Sequence, residues 1–116
     1  MRVRMNFDEY QLKARSTAIY PVAAQTIYPA LGICGEGGEV AELVKKWLRD
    51  EDGHPEYGMS EERVGKLFLE LGDVMWYVAN LATDLGLSLE DIAQANLGKL
   101  AARKDAGTLH GSGDSR

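Results

Sequence analysis

The sequence predicts an all-α four-helix bundle, and three observations carry the fold class. Four segments repeat apolar residues at helical spacing. Three of them open on Asn or Ser with an acid just behind, the usual start of a helix. No stretch reads convincingly as a strand.

The first helix is expected over about 7–24, with Asn6 as N-cap and Asp8 and Glu9 in the favourable first turn. Pro21 bends or ends it. The second is expected over about 29–48, with Pro29 in the tolerant first turn. Val40, Leu43, Val44 and Trp47 form its apolar stripe. With Glu36 as origin, Leu43 and Trp47 fall within about 20° and Glu39 about 60° away. The acids thus continue the apolar stripe. Glu42 points elsewhere and is expected to pair with Lys45 or Lys46. A turn-rich loop follows over 49–59, with Gly53, His54, Pro55 and Gly58.

The third helix is expected over about 61–85, capped by Ser60, with Glu61 and Glu62 behind it. Leu67, Leu71, Val74, Val78 and Leu81 make one stripe, flanked by Glu70 and Asp73. Phe68, Leu69, Met75 and Trp76 lie outside it, so the helix is apolar on more than one side. That pattern predicts burial on more than one side, by a second subunit or by the chain's own neighbours. Gly86 ends this helix. Ser88 opens the fourth, with Asp91 completing a capping box, Leu87 and Ile92 forming a hydrophobic staple, and Ile92, Leu97 and Leu100 expected in the core. One domain over 1–106 and a flexible tail over 107–116 are expected.

Composition narrows the function. A chain of 116 residues, 45 % hydrophobic, is one domain with room for a core. A net charge of −5 argues against stable nucleic-acid binding. Cys34 is the one cysteine, so no internal disulfide forms and a reducing compartment is expected. The N-terminus lacks the apolar run of a signal peptide, and no stretch is long enough to span a membrane. Together these predict a cytoplasmic protein.

Two acid pairs carry the chemistry. Glu36 and Glu39, and Glu70 and Asp73, each have i, i+3 spacing and sit toward the apolar side of a helix. Unpaired charge is costly there, so a cation is expected. Oxygen donors suit Mg²⁺, with Mn²⁺ as a substitute, and neither histidine nor Cys34 is placed for zinc or di-iron. Gly35, Gly37 and Gly38 surround the first pair. Either they mark a close approach within the helix, or the helix starts near Gly38 and they belong to a loop. Lys99 and Arg103, one turn apart, suit phosphates as a point charge and a bidentate fork, or else compensate the dipole of the last helix.

At these residues the chain resembles the MazG-like nucleoside triphosphate pyrophosphohydrolases, all-α enzymes whose motif is Glu-x-x-Glu, a spacer, then Glu-x-x-Asp. Glu36-Gly-Gly-Glu39 and Glu70-Leu-Gly-Asp73 match it. So do the flanking Leu31-Gly32-Ile33-Cys34-Gly35, the Lys45-Lys46 pair, Val74-Met75-Trp76-Tyr77, the late Asn96-Leu97-Gly98-Lys99-Leu100 with Arg103, and the opening Phe7-Asp8-Glu9-Tyr10-Gln11 with Thr17. The resemblance covers about 6–105. The 30 residues between Glu39 and Glu70 are slightly longer than the usual spacer, with the excess around 54–59.

The resemblance implies a bundle working as a homodimer or homotetramer. It implies Mg²⁺-dependent hydrolysis of an NTP or dNTP between its α and β phosphates, with house-cleaning of non-canonical nucleotides as its role. Glu36, Glu39, Glu70 and Asp73 would be the metal-binding and catalytic residues, one glutamate also activating water. Lys46, Asn96, Lys99 and Arg103 would bind substrate. Trp76, Tyr77 and Trp47 are read as core rather than base-stacking. Two alternatives stand beside this. One is a dUTP-, dCTP- or phosphoribosyl-ATP-preferring enzyme on the same scaffold; the other is a non-catalytic metal- or partner-binding module.

Overall fold

Asn6 starts the first helix, α1 (Phe7–Arg15), by accepting the Glu9 backbone N–H at 2.9 Å. The structure, a computed structural model, describes residues 2, 4–51 and 58–114. Among them are three further α-helices, α2 (Ile27–Lys46), α3 (Glu61–Asp84) and α4 (Leu89–Ala106), and no strand. Ser60 and Ser88 cap α3 and α4 by accepting the Arg63 and Asp91 N–H groups, as their sequence positions predict.

The first helix ends earlier than 24. Ser16 and Thr17 turn their hydroxyls back onto the Lys13 and Ala14 carbonyls, at 2.6 and 2.9 Å. Such local bonds compete with the helix ladder. Pro21 disfavours helical backbone at Tyr20 and instead leads into a short 3₁₀ turn, Val22–Ala24. In α2, Pro29 is the third residue, where its missing N–H loses no helical bond. The helix does not stop at 48: Trp47–Glu51 continue it as a π-helical turn. The loop expectation over 52–57, His54 included, lies outside the described residues.

A buried carboxylate ties three segments together. The Asp84 side chain is fully buried at the end of α3. It accepts bonds from Arg15 Nη1 at 2.6 Å, Tyr20 Oη at 2.9 Å and the Thr26 N–H at 2.8 Å. Burial alone would raise the Asp84 carboxyl, but these three donors outweigh it and hold it below the ordinary carboxylate range. Thr26 has φ of 70°, rare for a β-branched residue, and its bond to Asp84 holds that turn at the entry to α2. Beside it Asn80, also fully buried, donates to the Trp76 carbonyl at 3.1 Å. Gln11 links α1 to the α3–α4 turn, donating to the Leu87 carbonyl and accepting from the Leu89 N–H.

The helices pack in pairs: α2 along α3, α1 across α3, and α4 on α1. The buried core is small, with Ala14, Ala79 and Leu89 at its centre and Tyr10, Trp76 and Val78 against it. Trp76 also donates to Thr17 at 2.7 Å, a structural use of that ring. The core expected on α4 is not buried within the chain: Leu97 is 63 % exposed, and Ile92 and Leu100 are exposed too. The reason is packing order. Among the described residues α4 rests mainly on α1, which leaves those side chains uncovered. Phe68, Leu69 and Met75 of α3 are likewise exposed.

Candidate functional site

The site forms where α2 and α3 run side by side. Gly32 lets the Tyr77 ring lie against α2, since a Cβ there would collide with that ring. Toward the other end Arg63 donates to the Leu43 carbonyl at 3.1 Å. These two contacts fix an antiparallel register that brings Glu36 level with Glu70 and Asp73. Carboxylate oxygens of these three acids lie within 4.8 Å of one another. Glu36 and Glu70 are half-buried and Asp73 is exposed.

Three acids so close cannot all ionise freely. Glu36 shares a hydrogen bond with Glu70, is partly desolvated, and feels the charges of Glu70, Asp73 and Glu39. Together these push its carboxyl above the ordinary range. The second Glu70 oxygen, Oε2, is buried with no partner among the described residues. A buried carboxylate oxygen without a donor is costly. A hard divalent cation would remove both defects by bonding the free oxygen and replacing the shared proton. The residues therefore fit a metal of the kind that prefers oxygen ligands.

Glu39 is exposed, one turn along α2, and does not join that close group. Its charge still reaches Glu36. Gly35, Gly37 and Gly38 all lie inside α2, not in a loop, yet nothing among the described residues outside the helix approaches the space a Cβ would fill. The intrachain close approach belongs to Gly32, which the sequence reading quoted only as flanking context. Glu42 pairs with Lys45 at 2.8 Å, as its position predicts, and Lys46 is exposed at the end of α2. Trp47 donates to the Gly58 carbonyl at 3.1 Å, so this ring too has a structural partner.

The other candidate phosphate-binding residues stand on a different helix, α4. Asn96 and Lys99 are exposed on α4, and Arg103 is 6 % exposed. Lys99 Nζ and Arg103 Nη2 converge on Asp114 Oδ1, at 3.0 and 3.1 Å. Lys99 first, then Arg103, hold the Asp114 carboxyl below its ordinary range. The sequence reading missed Asp84 and Asp114, whose partners all lie far away along the chain or behind a turn. No helix among the described residues is long and apolar enough to cross a membrane.

Comparison with known proteins gives two matches. Residues 25–108 match the model of the MazG nucleotide pyrophosphohydrolase domain, a span holding all four acids and the Lys99–Arg103 pair. The Gene 37 protein of Mycobacterium phage L5 is 48 % identical over 118 aligned positions, covering 97 % of this chain and 100 % of that protein. No solved structure matches the chain.

Proposed function

Because the chain belongs to the MazG nucleotide pyrophosphohydrolase family, we propose that it hydrolyses nucleoside triphosphates between the α and β phosphates, releasing a monophosphate and pyrophosphate. The observation that supports this most is the cluster of Glu36, Glu70 and Asp73 with its unpartnered buried oxygen. In this reading those three carboxylates hold Mg²⁺, for which Mn²⁺ substitutes, with Glu39 beside them on α2. When bound, such an ion polarises a phosphoryl oxygen and makes water a better nucleophile near neutral pH.

The chain's own residues do the rest. Glu39 stands outside the close group, so its oxygens are free to take the proton of the attacking water. Lys99 and Arg103 neutralise phosphate charge, with Arg103 offering the fork that matches two phosphate oxygens. Asn96 and Lys46 add polar contacts to the substrate. The exposed Cys34 thiol suits a reducing cytoplasm. Incubation with a panel of NTPs and dNTPs in Mg²⁺ is expected to yield monophosphate and pyrophosphate. Release of single phosphates, or turnover undiminished by Asp73→Asn, would sink this reading.

The working form in this proposal is a homodimer or homotetramer. The chain exposes 8528 Å², whereas a folded monomer of this size exposes about 6,200 Å². Phe68 is 75 % exposed and Leu69 67 %, next to the acid-bearing turn of α3. Large apolar side chains exposed side by side are what an interface would cover. Replacing Phe68 and Leu69 together by Glu is expected to convert the protein to monomer in light scattering and to cut activity by about 10-fold or more. An unchanged oligomer would place the interface elsewhere.

A further inference from the structure

The chain beyond α4 folds back instead of running on. Gly107 takes a left-handed conformation, φ 71°, and the Gly107 and Thr108 N–H groups bond the Lys104 and Arg103 carbonyls. That reversal, with a second left-handed glycine at Gly113, brings Asp114 against residues one and a half turns back in α4. Lys99, Arg103 and Asp114 then line one hollow of about 390 Å³.

The grip on Asp114 is incomplete. Arg103 is 6 % exposed, yet among the described residues its Nη2 alone is engaged, by Asp114 Oδ1 and more distantly by the Gly113 and Asp114 carbonyls. Its Nε is buried and has no partner among the described residues. A carboxylate on an arginine fork ordinarily takes two parallel bonds. This one takes a single bond and leaves a buried donor idle, while the Asp114 side chain is 86 % exposed. A phosphate group has oxygens enough to use Nε, Nη2 and Lys99 together. The cationic pair is therefore a better seat for phosphate than for the group now in it.

We infer that the C-terminal tail is an internal competitor for the substrate: Asp114 occupies the Lys99–Arg103 pair and leaves it when a phosphate group arrives. The inference rests on the reading of that pair as phosphate-binding. It makes triphosphate binding and tail release one exchange, one anion replacing another on the same two cations.

The test uses the full chain and inorganic pyrophosphate in metal-free buffer, followed by the backbone amide resonances of Gly113 and Asp114. Wild type is expected to show both resonances moving as pyrophosphate binds. Asp114→Asn is expected to bind pyrophosphate about 2- to 5-fold tighter, the range of an exposed ion pair. Its KM for triphosphate should fall alike, with kcat unchanged. Asp105→Asn removes a like charge from the end of α4, without that contact, and should do neither. Equal effects of the two variants, or an Asp114→Asn protein with unaltered pyrophosphate affinity, would overturn the competitor. If Lys99→Met leaves pyrophosphate affinity intact, the phosphate role of the pair fails and the competitor with it. Hydrolysis by the acid cluster is scored separately in the nucleotide panel.

Discussion

Glu36→Gln is expected to cut turnover by about 10³-fold and, in the metal-free protein, to raise the melting temperature. The two effects have one cause. Glu36 is held protonated more readily than an ordinary glutamate because Glu70 shares its proton and the neighbouring acids repel its charge. A carboxyl whose folded pKa is raised favours the folded state below its unfolded pKa, about 4.3. It loses that contribution as pH rises through the folded value. Above the unfolded value the raised Glu36 carboxyl therefore works against folding unless a cation is present. Glutamine keeps the shape and a donor toward Glu70 but cannot ionise. Its stabilising effect should fade below about pH 4, where wild-type Glu36 is protonated too.

Metal should reverse the order. Binding to the folded state alone stabilises by about 2.7 kcal/mol at a ligand concentration 100 times Kd. Wild type is expected to gain melting temperature with Mg²⁺, while Glu36→Gln gains little. Loss of one group that stabilises developing charge typically costs 10²–10³ in rate, so activity should drop by about 10³-fold. Calorimetry with and without Mg²⁺, with product analysis, checks both halves. A variant less stable than wild type in the absence of metal would contradict the crowding of charge at this site.

Asp84→Ala carries the largest expected loss of stability. It leaves Arg15, Tyr20 and the Thr26 N–H without their shared acceptor. Breaking a buried ion pair costs about 3–5 kcal/mol. Because Arg15 keeps 32 % of its side-chain surface in water, a loss of about 2–3 kcal/mol is expected. The depressed Asp84 carboxyl gives the opposite pH sign to Glu36. Its contribution is present above the unfolded pKa of about 3.9 and is lost as pH falls through the lower folded value. The gap between wild type and variant in urea unfolding should thus be full at pH 7 and shrink in strong acid. A gap of equal size at pH 7 and pH 2 would show that lost packing, not the carboxylate, sets the cost. Metal affinity should fall as well, since Asp84 holds the Thr26 turn from which α2 carries Glu36.

Helix starts were legible because capping is local. Asn6, Ser60 and Ser88 each bond an N–H three residues on, so a window of four residues contains the whole interaction. The end of α1 was less legible: Ser16 and Thr17 compete with the ladder only weakly, and Pro21 drew the expectation too far along the chain. The glycines illustrate the same limit. Gly35, Gly37 and Gly38 crowd the stretch around Glu36, yet the glycine that packs against another helix is Gly32, and only the position of Tyr77 reveals that.

The sequence by itself determined the all-α class, the helix caps and the i, i+3 pairing of acids, because those depend on contacts within one helical turn. Tertiary structure alone decided which three acids meet, that Leu97 and Leu100 stay uncovered, that Asp84 binds three segments, and that Asp114 returns to Arg103. Those outcomes depend on the register of α2 against α3, the packing of α4 mainly on α1 and a chain reversal after it. Interactions between residues tens of positions apart form only once the helices between them have packed, so no local pattern encodes them.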